Sequence, residues 1–194
     1  MPQSGMRRPA NCTRLSAAKR QEATNTTKET KMTDNTALIA ALEKQERELI
    51  LDKFDELDAH ELGEAIRSAA LERNAPVTIE IRTATRCLYF AALPGAAPDN
   101  QKWGYLKAET VFQCHKSSML AGLHLEGEGR SQYPDAILPP DEYVLHGGAF
   151  PIRVKGVGLI AAVGISGLPS IEDHELSATA IAERIGAPPI PLPR

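Results

Sequence analysis

Apolar positions along the chain switch between two periods, and the switches mark its elements. Leu38, Leu42 and Leu49 recur at helical spacing with Ile39 beside them, and Asp34 or Asn35 stands where a cap belongs. A second helix is predicted after Asp58, which has Glu61 three residues on in the manner of a capping box. Leu62, Ala65, Ile66, Ala69 and Ala70 give it a small-residue face, and Asn74 with Pro76 ends it. The period then drops to two. Val77, Ile79 and Ile81 alternate with Thr78, Glu80 and Arg82, and Cys87 to Ala92 follows after a short turn, which predicts an antiparallel hairpin.

From Gln101 the helical period returns. Trp103, Leu106, Thr110, Cys114, Ser117 and Ala121 share one face of what reads as the longest helix, with Trp103 as a core anchor. Residues 122–145 carry three glycines and three prolines and read as a long loop. Phe150 to Val154, a Lys155-Gly156 turn and Val157 to Ile165 then read as two strands, the second apolar enough to be covered on both faces. Ser170 and Asp173 have the spacing of a helix start. Ile171, His174, Ala178, Ile181, Ala182 and Ile185 form the buried stripe, and Gly186 stops the helix. The pattern predicts an α/β chain of the α+β type. It has one domain over residues 32–188, with helices flanking an antiparallel sheet of about five strands if Leu49 to Phe54 adds a short one. The proline-rich tail, residues 189–194, is expected to leave the fold.

Composition changes this picture mainly at the ends. At 194 residues, with 42% hydrophobic and 24% charged side chains, the chain has an ordinary globular balance. Residues 1–31 lack aliphatic periodicity and carry seven basic and two acidic side chains. That is a net +5, leaving −8 on residues 32–194 of a chain whose total is −3. Such a segment cannot offset its ordering entropy by burial, so it is expected to be disordered. Met32 opens the clean pattern, which reads residues 1–31 as an upstream extension or tail, while their arginine-rich character also matches a mitochondrial-type transit peptide. The acidic body disfavours nucleic acid, because phosphate binding needs clustered lysine and arginine. No apolar run approaches the roughly 20 residues that cross a bilayer. Cys12, Cys87 and Cys114 sit at unrelated spacings, which argues against a disulfide framework or zinc site and for buried thiols in the cytoplasm.

Two clusters could carry chemistry. In His146-Gly147-Gly148-Ala149-Phe150-Pro151-Ile152 the paired glycines allow positive φ and expose N–H groups, which suits either a ligand edge or a tight strand start. Gly164-Ile165-Ser166-Gly167 precedes Asp173-His174 at a helix start, where free N–H donors gather. His174 reads as a core histidine or as a ligand. A general-base role for it lacks an assignable carboxylate partner. Lys107 lies one step off the Trp103/Leu106 stripe, as snorkelling lysines do.

Asp99-Asn100-x-x-Trp103-x-x-x-Lys107, Ser117-Ser118, Gly147-Gly148-x-Phe150-Pro151-Ile152, Ile165-Ser166-Gly167 and Asp173-His174, in that order, resemble the haem-degrading domain family of GlcG, PduO C-terminal and HbpS-like proteins. The likeness is to its branch that also occurs in yeast. The resemblance covers about residues 37–186. It implies a profilin-like fold, symmetric homo-oligomers and a haem-linked role. Lys107, His146, Gly147, Gly148, Phe150, Pro151, Asp173 and His174 become the candidate ligand-binding residues, with His146 or His174 as the axial imidazole if haem is the ligand. The alternative is a non-enzymatic, oligomeric protein-interaction module.

Overall fold

The computed structural model describes residues 35–130 and 138–193, of which those from Leu38 onward belong to one compact unit. Cys12 and the whole of residues 1–31 lie outside the described residues, as does Asp34. The elements are α1 (35–48), α2 (Glu56–Glu72), β1 (Thr78–Arg82), β2 (Cys87–Ala92), α3 (Asn100–Cys114), α4 (Ser118–Gly127), β3 (Ala149–Val154), β4 (Gly158–Ser166) and α5 (Ser170–Arg184). The strands form one antiparallel sheet in the order β2-β1-β4-β3. Its two central strands, β1 and β4, are buried over most of their length.

The period-two alternation decides which face each residue serves. Ile79, Ile81, Phe150, Ile152, Val163 and Ile165 pack with Leu62, Ile66 and Ile181 beneath α2 and α5. The intervening Ala149 and Ala162 meet Ala108 and Val111 of α3 on the other face. That second interface is thin because glycine faces glycine: a Cβ on Gly164 would lie 2.5 Å from the Gly104 carbonyl oxygen. A helix backbone can approach a strand this closely only where neither carries a side chain.

Several expectations shift. The sheet has four strands among the described residues. Leu51 makes a single parallel bridge to Val154, and Asp55 caps α2 four residues later, so the segment cannot extend into a fifth strand. The cap is Asp55, not Asp58. Both its own box and the expected one have acid-x-x-acid spacing, and Asp58 serves as the third helical residue, accepting from the Asp55 N–H. The stripe from Trp103 to Ala121 is broken: α3 ends at His115 in the left-handed region and Ser117 caps α4. The longest helix among the described residues is therefore α2, with 17 residues. Trp103 is 43% exposed, its indole N–H donating to Asp99, rather than anchoring the core. The expected loop is helical as far as Gly127, and residues 131–137 lie outside the described residues. Cys87 is exposed on the edge strand β2. The tail packs: Leu192 is buried against Leu42, Met119 and Leu120.

Candidate functional site

The scattered motifs converge where β3 begins and α5 begins. Ser118 Oγ donates to the His146 carbonyl at 2.5 Å and accepts the Ala149 N–H at 3.1 Å. The Gly147 N–H donates to Ser170 Oγ at 2.6 Å. Ser170 is thereby drawn away from capping α5, whose cap position is Pro169 with no side-chain hydrogen bond. Asp173 is also diverted: its Oδ1 accepts the Leu168 N–H at 3.0 Å and its Oδ2 meets Lys107 Nζ at 2.9 Å.

Lys107 does not snorkel. It is 5% exposed, and its ammonium also donates to the Ile165 carbonyl at 3.0 Å. Burial pushes the Asp173 carboxyl up from its usual range, against the downward pull of Lys107 and of the Leu168 and Gly167 N–H groups. Gly148 closes the cluster at φ +130°. A Cβ there would sit 2.3 Å from the Ile165 oxygen and 2.7 Å from Lys107 Nζ. Lys107, Gly147, Gly148 and Asp173 therefore form one buried, hydrogen-bonded hub. Pro151 lies beside it on the edge strand β3, where the missing N–H is tolerated.

His174 is fully buried, with Phe150 edge-on at 5.6 Å between ring centres. Its Nε2 lies 2.9 Å from Gln45 Oε1, and the Gln45 amide nitrogen donates to the Ile190 carbonyl at 2.7 Å. The oxygen of Gln45 therefore faces the ring, and Nε2–H is the donor. Nδ1 is left buried without a partner. Burial pulls the imidazole down to about 3, so it is neutral at physiological pH. Its chain neighbour Asp173 turns to Lys107, which leaves His174 no carboxylate with which to act as a base.

His146 is exposed, and among the described residues no hydrogen bond or ring contact joins it to buried His174. It lies on a groove of about 530 Å³ whose walls include Leu38 of α1, Met119 and Leu123 of α4, and Leu145, with Arg130 also lining it. Such a volume suits a small-molecule ligand. Two features of this region escaped the sequence reading. Gln45 falls on the Leu38-Leu42-Leu49 stripe, a polar side chain at a core position, and that was its available signal. The part played by the tail had no periodic signal. Among the described residues no three metal-type side chains converge.

The model of the HbpS-like haem-degrading protein family matches residues 54–182. The chain belongs to that family. This HbpS-like chain is 43% identical over 148 residues to a UPF0303 protein of Streptomyces coelicolor, covering 76% of this chain and 94% of the relative. It is 42% identical over 148 residues to one from Acidobacterium capsulatum, covering 76% and 90%. The crystal structure of the Ybr137w protein superposes with TM-score 0.70 at 29% identity, over 76% of this chain and 87% of that one. The complex of PduOC with heme gives TM-score 0.57 at 23% identity, over 69% and 94%. At that identity the likeness shows a shared fold.

Proposed function

We propose that this HbpS-like chain binds haem or a related tetrapyrrole in the α1/α4 groove, and does so as a homo-oligomer. The observation that carries the reading is an exposed imidazole, His146, on an otherwise largely aliphatic groove in a chain of this family. The lining fits the group: His146 would ligate the iron, Met119, Leu123 and Leu38 would pack against the ring system, and Arg130 would pair with a carboxylate substituent. Haem would supply redox chemistry of its own at the iron. The chain's share is to seat the ring, hold the backbone that carries the imidazole through the Ser118 bond to the His146 carbonyl, and shield the site with its aliphatic walls. His174 is the poorer axial candidate, because its one bonded nitrogen is held by Gln45 and its other lies sealed in the core.

The test is a hemin titration of the full chain followed by absorbance. A saturable Soret shift, lost in His146→Ala and retained in His174→Gln, is expected. A flat response in the parent protein refutes the reading. Exposed Phe90, Trp103 and Tyr105 favour the second reading, an interaction module that works through oligomerisation, and light scattering at micromolar concentration reads its assembly.

A further inference from the structure

A second pocket, of about 420 Å³, lies on the other side of α4 from the groove, between α4, α1 and β3. Basic side chains from four parts of the chain line it: Arg47 of α1, His115 and Lys116 of the α3–α4 link, His124 of α4 and Arg153 of β3. This concentration stands out in a body whose net charge is −8. Two carboxylates share the pocket, and both are already engaged within the protein. Glu46 accepts the Ser117 N–H at 2.7 Å on one oxygen and faces Arg153 at 3.5 Å with the other. Glu43 faces His124 at 3.4 Å.

The cations are not matched in the same way. Arg47, Lys116 and the His115 ring have no hydrogen-bond or ion-pair partner among the described residues, although they line the same cavity. Arg153 is held in place by the His115 carbonyl, to which it donates at 2.5 Å. His115 itself holds a left-handed backbone, φ 53°, which turns the link between the helices, and both it and Lys116 line the pocket.

We infer that this pocket binds a phosphate group, with Arg47, Lys116 and His115 as its ligands. A guanidinium fork, an ammonium and an imidazole N–H from separate elements can each take a different oxygen, which suits a tetrahedral polyanion better than a flat carboxylate. The cavity exceeds ten times the roughly 30 Å³ that one water occupies in the liquid, so there is room for the organic part of a phosphomonoester. The site shares no lining residue with the groove that holds His146, so it stands independently of haem binding.

Calorimetric titration of the full chain at fixed ionic strength tests this, with inorganic phosphate and methyl phosphate as probes and chloride as the background anion. Saturable 1:1 binding is expected, weakened about tenfold by Arg47→Ala and by Lys116→Ala, since each removes a charge-assisted bond. His115→Asn, which tolerates the left-handed backbone, should weaken it by a smaller factor. Lys102→Ala, on a different surface, should leave it unchanged. Tighter binding of methyl phosphate than of phosphate assigns the site to an ester, and equal binding assigns it to the free ion. No saturable heat with either probe, or equal affinity in all four variants, overturns the inference.

Discussion

Neutral burial of His174 makes the protein's stability depend on pH with a sign and size that can be stated. The imidazole falls from its ordinary 6.5 to about 3 because burial penalises the cation. A depressed folded-state value means that the unfolded chain takes up the proton first. The stabilisation is complete above about 6.5 and is lost as pH falls toward 3. At pH 5 the unfolded chain is almost wholly protonated at this position while the folded one is not. The cost is about 2 kcal/mol relative to pH 7.5. Urea unfolding reads it directly: at a typical slope near 2 kcal/mol per molar, the midpoint drops by about 1 M from this residue alone. Other groups titrate over the same range, so the quantity to measure is the difference between the parent and His174→Gln. That variant keeps an N–H for Gln45 and removes the titration. The parent should lose about 2 kcal/mol more than the variant between pH 7.5 and 5. A difference below about 0.5 kcal/mol, or an NMR titration midpoint near the unperturbed value, would show that the ring is hydrated and refute the reasoning.

Two further perturbations probe the hub. Gly148→Ala should cost about 3–4 kcal/mol, combining a left-handed backbone with overlap against the Ile165 oxygen and Lys107. Gly156→Ala, also at positive φ but in open space, should cost about 1 kcal/mol, and equal losses on thermal unfolding would contradict the packing argument. Lys107→Met should cost about 3–5 kcal/mol at neutral pH, because it strands Asp173 at 1% exposure. The stranded carboxyl moves further up, so the variant should lose stability as pH rises from about 4, the opposite sense to His174. Loss below 1 kcal/mol in chemical denaturation would mean that the pair is hydrated.

The strands were legible because a half-buried sheet imposes period two, and Ile79, Ile81, Phe150 and Ile152 obey it. Helical stripes were legible for the same reason, but a stripe does not report a break. Trp103 to Ala121 keeps helical spacing across His115 although α3 packs on the sheet and α4 on Leu42 and Leu192, so only a left-handed residue that is not glycine marks the corner. Asp55 and Asp58 each begin a capping spacing, and pattern alone cannot rank them. At Ser170 and Asp173 the helix-start spacing was present and the caps were not. Both side chains bond to the β3 strand region, to the β4–α5 turn or to Lys107, and long-range partners leave no mark on local spacing. Leu192 is the plainest omission. A proline-rich tail has no period, yet one leucine in it completes the cluster around Leu42.

The residues that make the family recognisable and the residues that line the groove are largely different sets, and the hydrogen bonds explain why. Lys107, Gly148 and Asp173 touch one another and the backbone of β4, and each is enclosed. What they fix is the path of the chain from Leu145 into β3. Ser118 grips that path on both sides of Gly147-Gly148, at the His146 carbonyl and the Ala149 N–H, while Ser170 holds Gly147 between them. The His146 ring then projects from a backbone held at three successive points, while its own side chain carries none of the restraint. Of the groove-lining side chains, Leu123 packs on the cluster around Leu42 and Arg130 pairs with Glu128, so neither helps to hold that backbone. The hub cannot vary piecemeal, because any Cβ at Gly148 meets Lys107 and any loss of Lys107 strands Asp173. A motif of this kind therefore identifies a way of presenting one imidazole at a groove, and the chemistry presented to it is set by residues outside the motif.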